Sequence, residues 1–431
     1  MTNGAMALPP GPRLPALAQG LWFALRPVDY FEICRQRYGD PFTVRLPSTP
    51  PVVMFSEPSA IRDIFTGDED VLRAGEATVI LRPIVGPNSL LLLDGERHLR
   101  ERRMMMPPFH GERMRAYADV MREATERAIA SWPVGQPFPL LTQTQAITLD
   151  VIVRTVFGMT DGAAMAALSD RLRRFVTAAV NPIYLWQRLQ VDLGPLTPWG
   201  RFVRLRREID ALLDAEIAAR RAAGTERDDV LSLLLAARDE HGAPMGDAEL
   251  RDELMTLLLA GHETTASSLA WTMHRILTEP GVRERAGSDG EYLDAVVKET
   301  MRMNPVIPDV MRIVKQPIRI GGIDLPAGIG VAPNIYAAHH RPETWPEPHA
   351  FRPERFLGTR PGPYEFFPFG GGMRRCLGQA FALYEMKVVL STLLARTELA
   401  IAPGYRLRVV RRNITWAPSE GMPVVVTRRA A

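Results

Sequence analysis

The chain of 431 residues is 46% hydrophobic and 23% charged, with a formal net charge of +3. This is ordinary globular usage with ample material for a core, which excludes a disordered protein. The basic residues are dispersed among acidic ones, which argues against a nucleic-acid binder, and Cys34 and Cys376 are too few for a disulfide framework, so a reducing compartment is expected.

In chain order, the N-terminus lacks a basic stretch followed by an apolar one, and the run Leu21 to Leu25 is far shorter than the about 20 apolar residues that a bilayer span needs. A soluble, cytoplasmic protein with no membrane span is expected. It opens with a Pro-rich extension, Leu8-Pro9-Pro10-Gly11-Pro12, reaching to about residue 20. β-prone pieces punctuated by Gly and Pro follow at Phe42 to Leu46 and Val52 to Phe55. They recur at Met311 to Ile320, Gly330 to Pro333, Leu407 to Val410 and Val424 to Thr427. Between them, apolar residues repeat at helical spacing, as in Met114 to Trp132, Phe202 to Ala222 and Asp228 to Ala237. The fold class this predicts is mainly α with a smaller β region. One unit over residues 1–431 is expected, because no linker-like tract or internal repeat divides the chain.

The longest helical pattern opens at Asp247 as N-cap and stops at Pro280, roughly 50 Å at about 1.5 Å per residue. Its centre, Leu257-Leu258-Leu259-Ala260-Gly261-His262-Glu263-Thr264-Thr265, turns abruptly from apolar to small, acidic and hydroxylic. Gly and Thr are poor helix-interior residues. The segment is therefore either a core helix with a solvated turn or a local break beside a ligand, with Thr264 on the face of Ala260.

Further on, Phe369-Gly370-Gly371-Gly372-Met373-Arg374-Arg375-Cys376-Leu377-Gly378 precedes a helical pattern from Gln379 to Leu394. The glycines allow close backbone approach, and Cys376 sits at the mouth of a helix, where the dipole favours a thiolate. A lone cysteine is more often an inert core residue. A structural zinc site needs four ligands, and no second cysteine is near; a Cys-His hydrolase needs a base that this turn does not supply.

These residues resemble the haem-binding signature of the cytochrome P-450 monooxygenases, Phe-x-x-Gly-x-Arg-x-Cys-x-Gly, matched at Phe369, Gly372, Arg374, Cys376 and Gly378. Ala260 to Thr264 is similar to the family's oxygen-activation motif, Glu299-Thr300-Met301-Arg302 to its Glu-x-x-Arg pair, and Phe351-Arg352-Pro353-Glu354-Arg355-Phe356 to its Pro-Glu-Arg-Phe segment. On its own, Glu299 with Arg302 is a surface pair worth about 0.2–0.5 kcal/mol. The resemblance implies instead a buried network in which both join Arg355 to fix the fold around the cysteine loop. It also implies the cytochrome P-450 fold, a long central helix over a haem held by that loop. Haem b is the implied cofactor, with Cys376 as iron ligand, Phe369 beside it, and His98, Arg102, Arg312 and Arg374 toward the propionates, which guanidinium groups satisfy well.

No side chain inserts oxygen into a C–H bond, so a cofactor must carry that reaction, and thiolate ligation favours O–O cleavage. The implied activity is a monooxygenase using O₂ to hydroxylate or epoxidise a lipophilic small molecule, with Glu263 bringing protons and the Thr264 hydroxyl steering them. Ile80, Leu81, Ile84, Val85, Leu257, Ala260, Ile307, Val310 and Trp416 stand where the family's pocket is lined, which favours an apolar ligand. Leu8 to Pro12, Met106 to Met114 and Phe369 to Ala382 resemble a bacterial subgroup associated with fatty acids and terpenoids; a steroid-like substrate fits equally.

No flavin or nicotinamide domain follows the cysteine helix, so electrons are expected from a ferredoxin or flavodoxin with its reductase, drawn to Arg103, Arg375 and Lys387. A monomer is expected. Two other classes share the thiolate haem: a peroxygenase or isomerase, against which the proton relay argues, and a non-enzymatic haem ligand-binding protein, for which no output domain is visible.

Overall fold

The computed structural model describes residues 7–109, 117–158, 163–179, 190–224, 227–412 and 414–429. Its axis is the helix Asp247–Thr278, 32 residues long. Gly246 rather than Asp247 is the N-cap, and its backbone N–H donates to Glu249 Oε2 at 3.0 Å, which holds the first turn. Leu140–Phe157, Gly290–Met303 and Gln379–Arg396 pack around this central helix, and their apolar faces merge into the main core.

The helix is unbroken through its small-residue centre. Thr264 Oγ1 donates to the Ala260 carbonyl at 2.6 Å, satisfying the hydroxyl inside the helix. A Cβ on Gly261 would lie 3.2 Å from Ile152 Cδ1, so the glycine serves close approach of the helix Leu140–Phe157. Of the two readings of this segment, the continuous core helix holds, and the small residue serves a packing contact instead of a break.

Elsewhere the helical patterns hold with shifted ends. Phe202 to Ala222 lies within Pro198–Ala223, and Val230–Ala236 is capped by Asp229, whose carboxylate accepts from Ser232 N at 2.7 Å. The pattern at Met114 to Trp132 forms Ala118–Ser131, and Met114 itself lies outside the described residues.

The β region stands at one side. Its five-stranded sheet runs in the order Phe42–Val44, Val52–Phe55, Gly330–Pro333, Arg312–Val314, Leu72–Arg73. The piece Met311 to Ile320 splits, because Ile318–Ile320 pairs instead with Ile323–Leu325 after Pro317 interrupts the ladder. A hairpin of Val409–Arg412 and Thr415–Pro418 packs on the central helix, and Pro423–Arg429 lies between Pro137–Pro139 and Thr397–Ile401.

The Pro-rich start is part of this region rather than an extension. Thr43 N donates to the Pro10 carbonyl at 2.9 Å and Thr43 Oγ1 to Pro9 at 2.7 Å. Gly11 is required there, since a Cβ would lie 1.8 Å from the Thr43 carbonyl oxygen. Gln19, fully buried, ties Pro12, Leu14 and Tyr30 together.

Candidate active site

The cysteine loop is shaped by what crowds it. Gly372 has φ +63° and a Cβ there would meet the Phe65 carbonyl oxygen at 1.9 Å, so only glycine fits. Cys376 N donates to the Phe369 carbonyl at 2.9 Å, and the Gly378 N–H bonds the thiol, three residues before Gln379 opens the next helix. The thiol is reachable by a water-sized sphere yet enclosed by protein; both hold because its free surface faces an internal hollow rather than bulk solvent. Burial pushes the thiol up, against the Gly378 N–H, Arg102 and Arg375, which pull it down. A thiol so enclosed ionises readily only against a positive partner.

Arg302 and Glu299 are both fully buried and form a fork, with Nε to Oε2 at 2.7 Å and Nη2 to Oε1 at 2.8 Å. Arg302 Nη1 also donates to the carbonyls of His339 and Pro348, and Arg352 N donates to Glu299 Oε1. Arg355 Nε lies 3.4 Å from Glu299 Oε1. His339, which the sequence did not single out, links this network to the cysteine loop: its Nε2 accepts from Phe367 N at 3.0 Å, two residues before Phe369. Burial, then His340 and Arg302, hold its imidazole well below the usual histidine range, so it stays neutral and able to accept.

His98, Arg102, Arg312 and Arg374 converge from three segments, the first two from the helix Gly95–Met105. His98 is buried with Nδ1 lacking a hydrogen bond, and burial together with Arg374, Arg102 and Arg312 lowers it to about 3. Its 3.7 Å approach to Glu69 is therefore a contact of a neutral ring, not an ion pair. Burial and Arg374 lower Arg312 to about 10. Arg374 Nη2 donates to Asp94 Oδ1 at 2.5 Å, and Asp94 in turn accepts from Ala74 N and Gly75 N. Arg102 Nη2 donates to the Arg375 carbonyl at 2.7 Å, which brings it to the cysteine loop. Glu69, both of whose oxygens lack hydrogen bonds, and Asp94 were not anticipated; three guanidinium groups outnumber them, so the cluster is short of negative charge.

On the central helix Ala260 is exposed and Gly261, Glu263 and Thr264 are half-buried, although Leu258, His262 and Thr265 are buried, so the hollow opens along that face. Glu263 is held from both sides: Oε1 accepts from Arg412 Nε at 3.1 Å and Oε2 from Gln145 Nε2 at 2.7 Å. Neither partner was legible from the sequence. Ile84, Leu257, Ile307 and Val310 are half-buried, Leu81 and Val85 are buried, and Ile80 is exposed.

Trp416 departs from the pocket expectation. It is 1% exposed within a separate core with Phe31 and Tyr336, ring centroids 5.9 and 5.4 Å away, and so presents no surface to a ligand. The expected basic surface is also reduced, because Arg103 pairs with Glu240 and Lys387 with Asp294, while Arg375 donates to Gln379. Lys298 and Arg375 instead flank one depression lined by Tyr364, Phe369 and Leu383.

Among the described residues no helix is long and apolar enough to cross a membrane. A family model described as cytochrome P-450 matches residues 8–422. Relatives include cytochrome P-450 135B1 of Mycobacterium tuberculosis, 38% identical over 98% of this chain and 92% of that protein. Another is cytochrome P-450 135A1 of the same species, 39% identical over 96% and 94%. Among solved structures, the retinoic acid bound cyanobacterial CYP120A1 superposes with a TM-score of 0.85 at 27% identity, covering 99% of this chain and 100% of that one. The mainly helical architecture with its smaller β region is accordingly the cytochrome P-450 fold, and the chain belongs to the cytochrome P-450 family.

Proposed function

We propose that this chain is a haem-thiolate monooxygenase that hydroxylates or epoxidises a lipophilic small molecule, with Cys376 as iron ligand. Haem b is the cofactor, as in the family. The residues present fit it: a glycine-rich loop presents an enclosed thiol, His98 Nδ1 is an orphaned buried atom, and Arg102, Arg312 and Arg374 outnumber the two carboxylates, Glu69 and Asp94, that face them. His98, Arg102, Arg312 and Arg374 would hold the propionates, and Phe369 would cover the thiolate side. When bound, the haem supplies the O₂ and oxygen-insertion chemistry.

The protein's own task is proton management and exclusion of water. Glu263, poised between Arg412 and Gln145, would exchange partners to pass protons inward, and the Thr264 hydroxyl, once turned from the Ala260 carbonyl, would donate a hydrogen bond into the pocket. Glu299, Arg302 and Arg355 keep the cysteine loop in place. Family membership implies O₂ and a redox partner; a ferredoxin or flavodoxin with its reductase, docking at the depression flanked by Lys298 and Arg375, suits the basic groups there. A terpenoid, steroid-like molecule or fatty acid suits the apolar lining, and retinoic acid in the cyanobacterial neighbour is likewise a lipophilic acid. The protein acts as a cytoplasmic monomer in this reading.

The observation that carries it is the enclosed Cys376 thiol, bonded by the Gly378 N–H in a loop whose Gly372 leaves no room for a Cβ. The test is the absorption spectrum of the reduced, CO-bound protein, expected to show thiolate ligation; a spectrum typical of histidine-ligated haem overturns the assignment.

A further inference from the structure

Glu69 and His98 face each other across a gap that neither closes. Glu69 lies in the turn between the helix Pro58–Thr66 and the strand Leu72–Arg73. Asp68 fixes that turn, since its carbonyl accepts from Leu72 N at 2.8 Å and its Oδ1 from Asp70 N at 2.7 Å. From there Glu69 Oε2 stands 3.7 Å from His98 Nδ1, and Oε1 stands 3.6 Å from Arg374 Nε. All four atoms are buried and without a hydrogen bond. They form two complementary pairs, each within about 1 Å of hydrogen-bond length, so a small side-chain movement joins them and removes the cost of leaving them apart.

The charges around His98 come from every element packed on it. Arg102 lies one turn along its own helix, Arg312 opens the strand Arg312–Val314, and Arg374 comes from the cysteine loop. Glu69 and Asp94 are the carboxylates that face these arginines, while the nearby Arg73 is paired with Asp70 at 2.6 Å. Three guanidinium groups thus face two carboxylates, and a fourth cation is unwelcome: burial together with the arginines lowers His98 to about 3. Haem would reverse the balance. Its two propionates make four carboxylates against three guanidinium groups, and a charged His98 restores equality. Tautomer chemistry points the same way. A neutral imidazole that donates from Nδ1 to Glu69 presents a bare Nε2, which cannot bond an ionised propionate; only the imidazolium donates from both nitrogens.

We propose that Glu69 is a positioning residue that accepts the Nδ1 proton of an imidazolium at His98 whose Nε2–H grips a haem propionate, so that this chain takes up one proton at His98 with its haem. The inference rests on the reading of His98 as a propionate partner and adds to it the residue that sets its charge. Arg374 Nε, closing on Glu69 Oε1, steadies the carboxylate from its other oxygen. The proton comes from water and returns to it when haem leaves. Because the loaded protein holds a proton that the free protein lacks, haem is held tightly below the pH at which the loaded His98 loses that proton and more loosely as pH rises through it.

The experiment uses the haem-loaded full chain and follows haem transfer to an excess of apomyoglobin between about pH 7 and 9, with the propionate bending band read by resonance Raman spectroscopy in the same samples. The wild type is expected to release haem about tenfold faster at the upper end than at the lower, and the band to shift over the same range. Glu69→Gln should move both changes to lower pH. His98→Arg, which keeps a fixed charge, should abolish both while retaining haem. A wild-type release rate and band that stay constant with pH overturn the proposal, a comparison that needs no variant, and so does a Glu69→Gln profile that matches the wild type. If His98→Gln leaves the band where the wild type has it, His98 is not at a propionate, and that reading falls together with the proposal; a band that responds to His98 but to neither pH nor Glu69 overturns the proton step alone.

Discussion

The two sides of the central helix are built on different principles. Around the cysteine loop, charged groups meet fixed acceptors: Arg302 has the Glu299 fork and backbone carbonyls, and His339 joins that network to Phe367 N. On the opposite side Glu263 is held by two half-buried side chains, Arg412 and Gln145, and not by backbone groups. Backbone acceptors fix a geometry, whereas side-chain partners hold a group that has to move. The contrast separates residues whose loss unfolds the site from residues whose loss changes only what it does.

The largest effect is expected on the fixed side. Cys376→Ala should remove the thiolate spectrum and lower turnover by at least about 10³-fold, while the melting curve of the haem-free protein stays near wild type; retained activity would remove the ligand assignment. Arg302→Ala should cost on the order of 3–5 kcal/mol, because it strands Glu299 without its partner in a buried site. Denaturant titration measures this, and a loss under about 1 kcal/mol would show that the network is not structural. On the movable side, Glu263→Gln should leave stability nearly unchanged but slow turnover by roughly 10²-fold with a larger solvent isotope effect. Thr264→Ala should keep the rate of electron uptake and divert it to peroxide, so product per O₂ falls several-fold; unchanged coupling would contradict its role.

The smallest effect expected is on acid stability. Burial lowers His262 and His274 to about 4 and His340 to about 3, all from 6.5. Between those values the unfolded chain takes up protons that the folded one refuses. Stability is thus fully present above about pH 6.5 and falls as pH drops toward 4, by on the order of 1–3 kcal/mol per histidine. His262→Gln should flatten the dependence of melting temperature on pH in that window; an unchanged slope would contradict the neutral assignment.

What the sequence made legible follows the same division. The cysteine loop and the Glu299 and Arg302 pair could be read because their spacing is local and tied to chemistry. Arg412 could not, since it meets Glu263 across 149 positions and only the hairpin's docking brings it there. Glu69 and Asp94 lie outside any motif and reach the arginine cluster through tertiary folding alone. Trp416 went astray for the converse reason: an aromatic near the C-terminal hairpin suits either face of a strand, and packing against Phe31 selected the core. Strands were placed well where β-branched runs ended at Gly or Pro, and the helix centre stayed open between two readings because a small residue reads alike for a break and for a tight crossing.

The Pro9-Pro10-Gly11 segment has a consequence for solubility. Phe42–Val44 is the last strand on its side of the five-stranded sheet, and the Thr43 N–H that points outward is taken by the Pro10 carbonyl. Prolines bring no N–H of their own, so the segment closes that edge without offering a new one to pair with. A chain trimmed of its first 12 residues would leave an apolar rim open to another molecule, and light scattering on warming should show it self-associating well before the helical bulk melts.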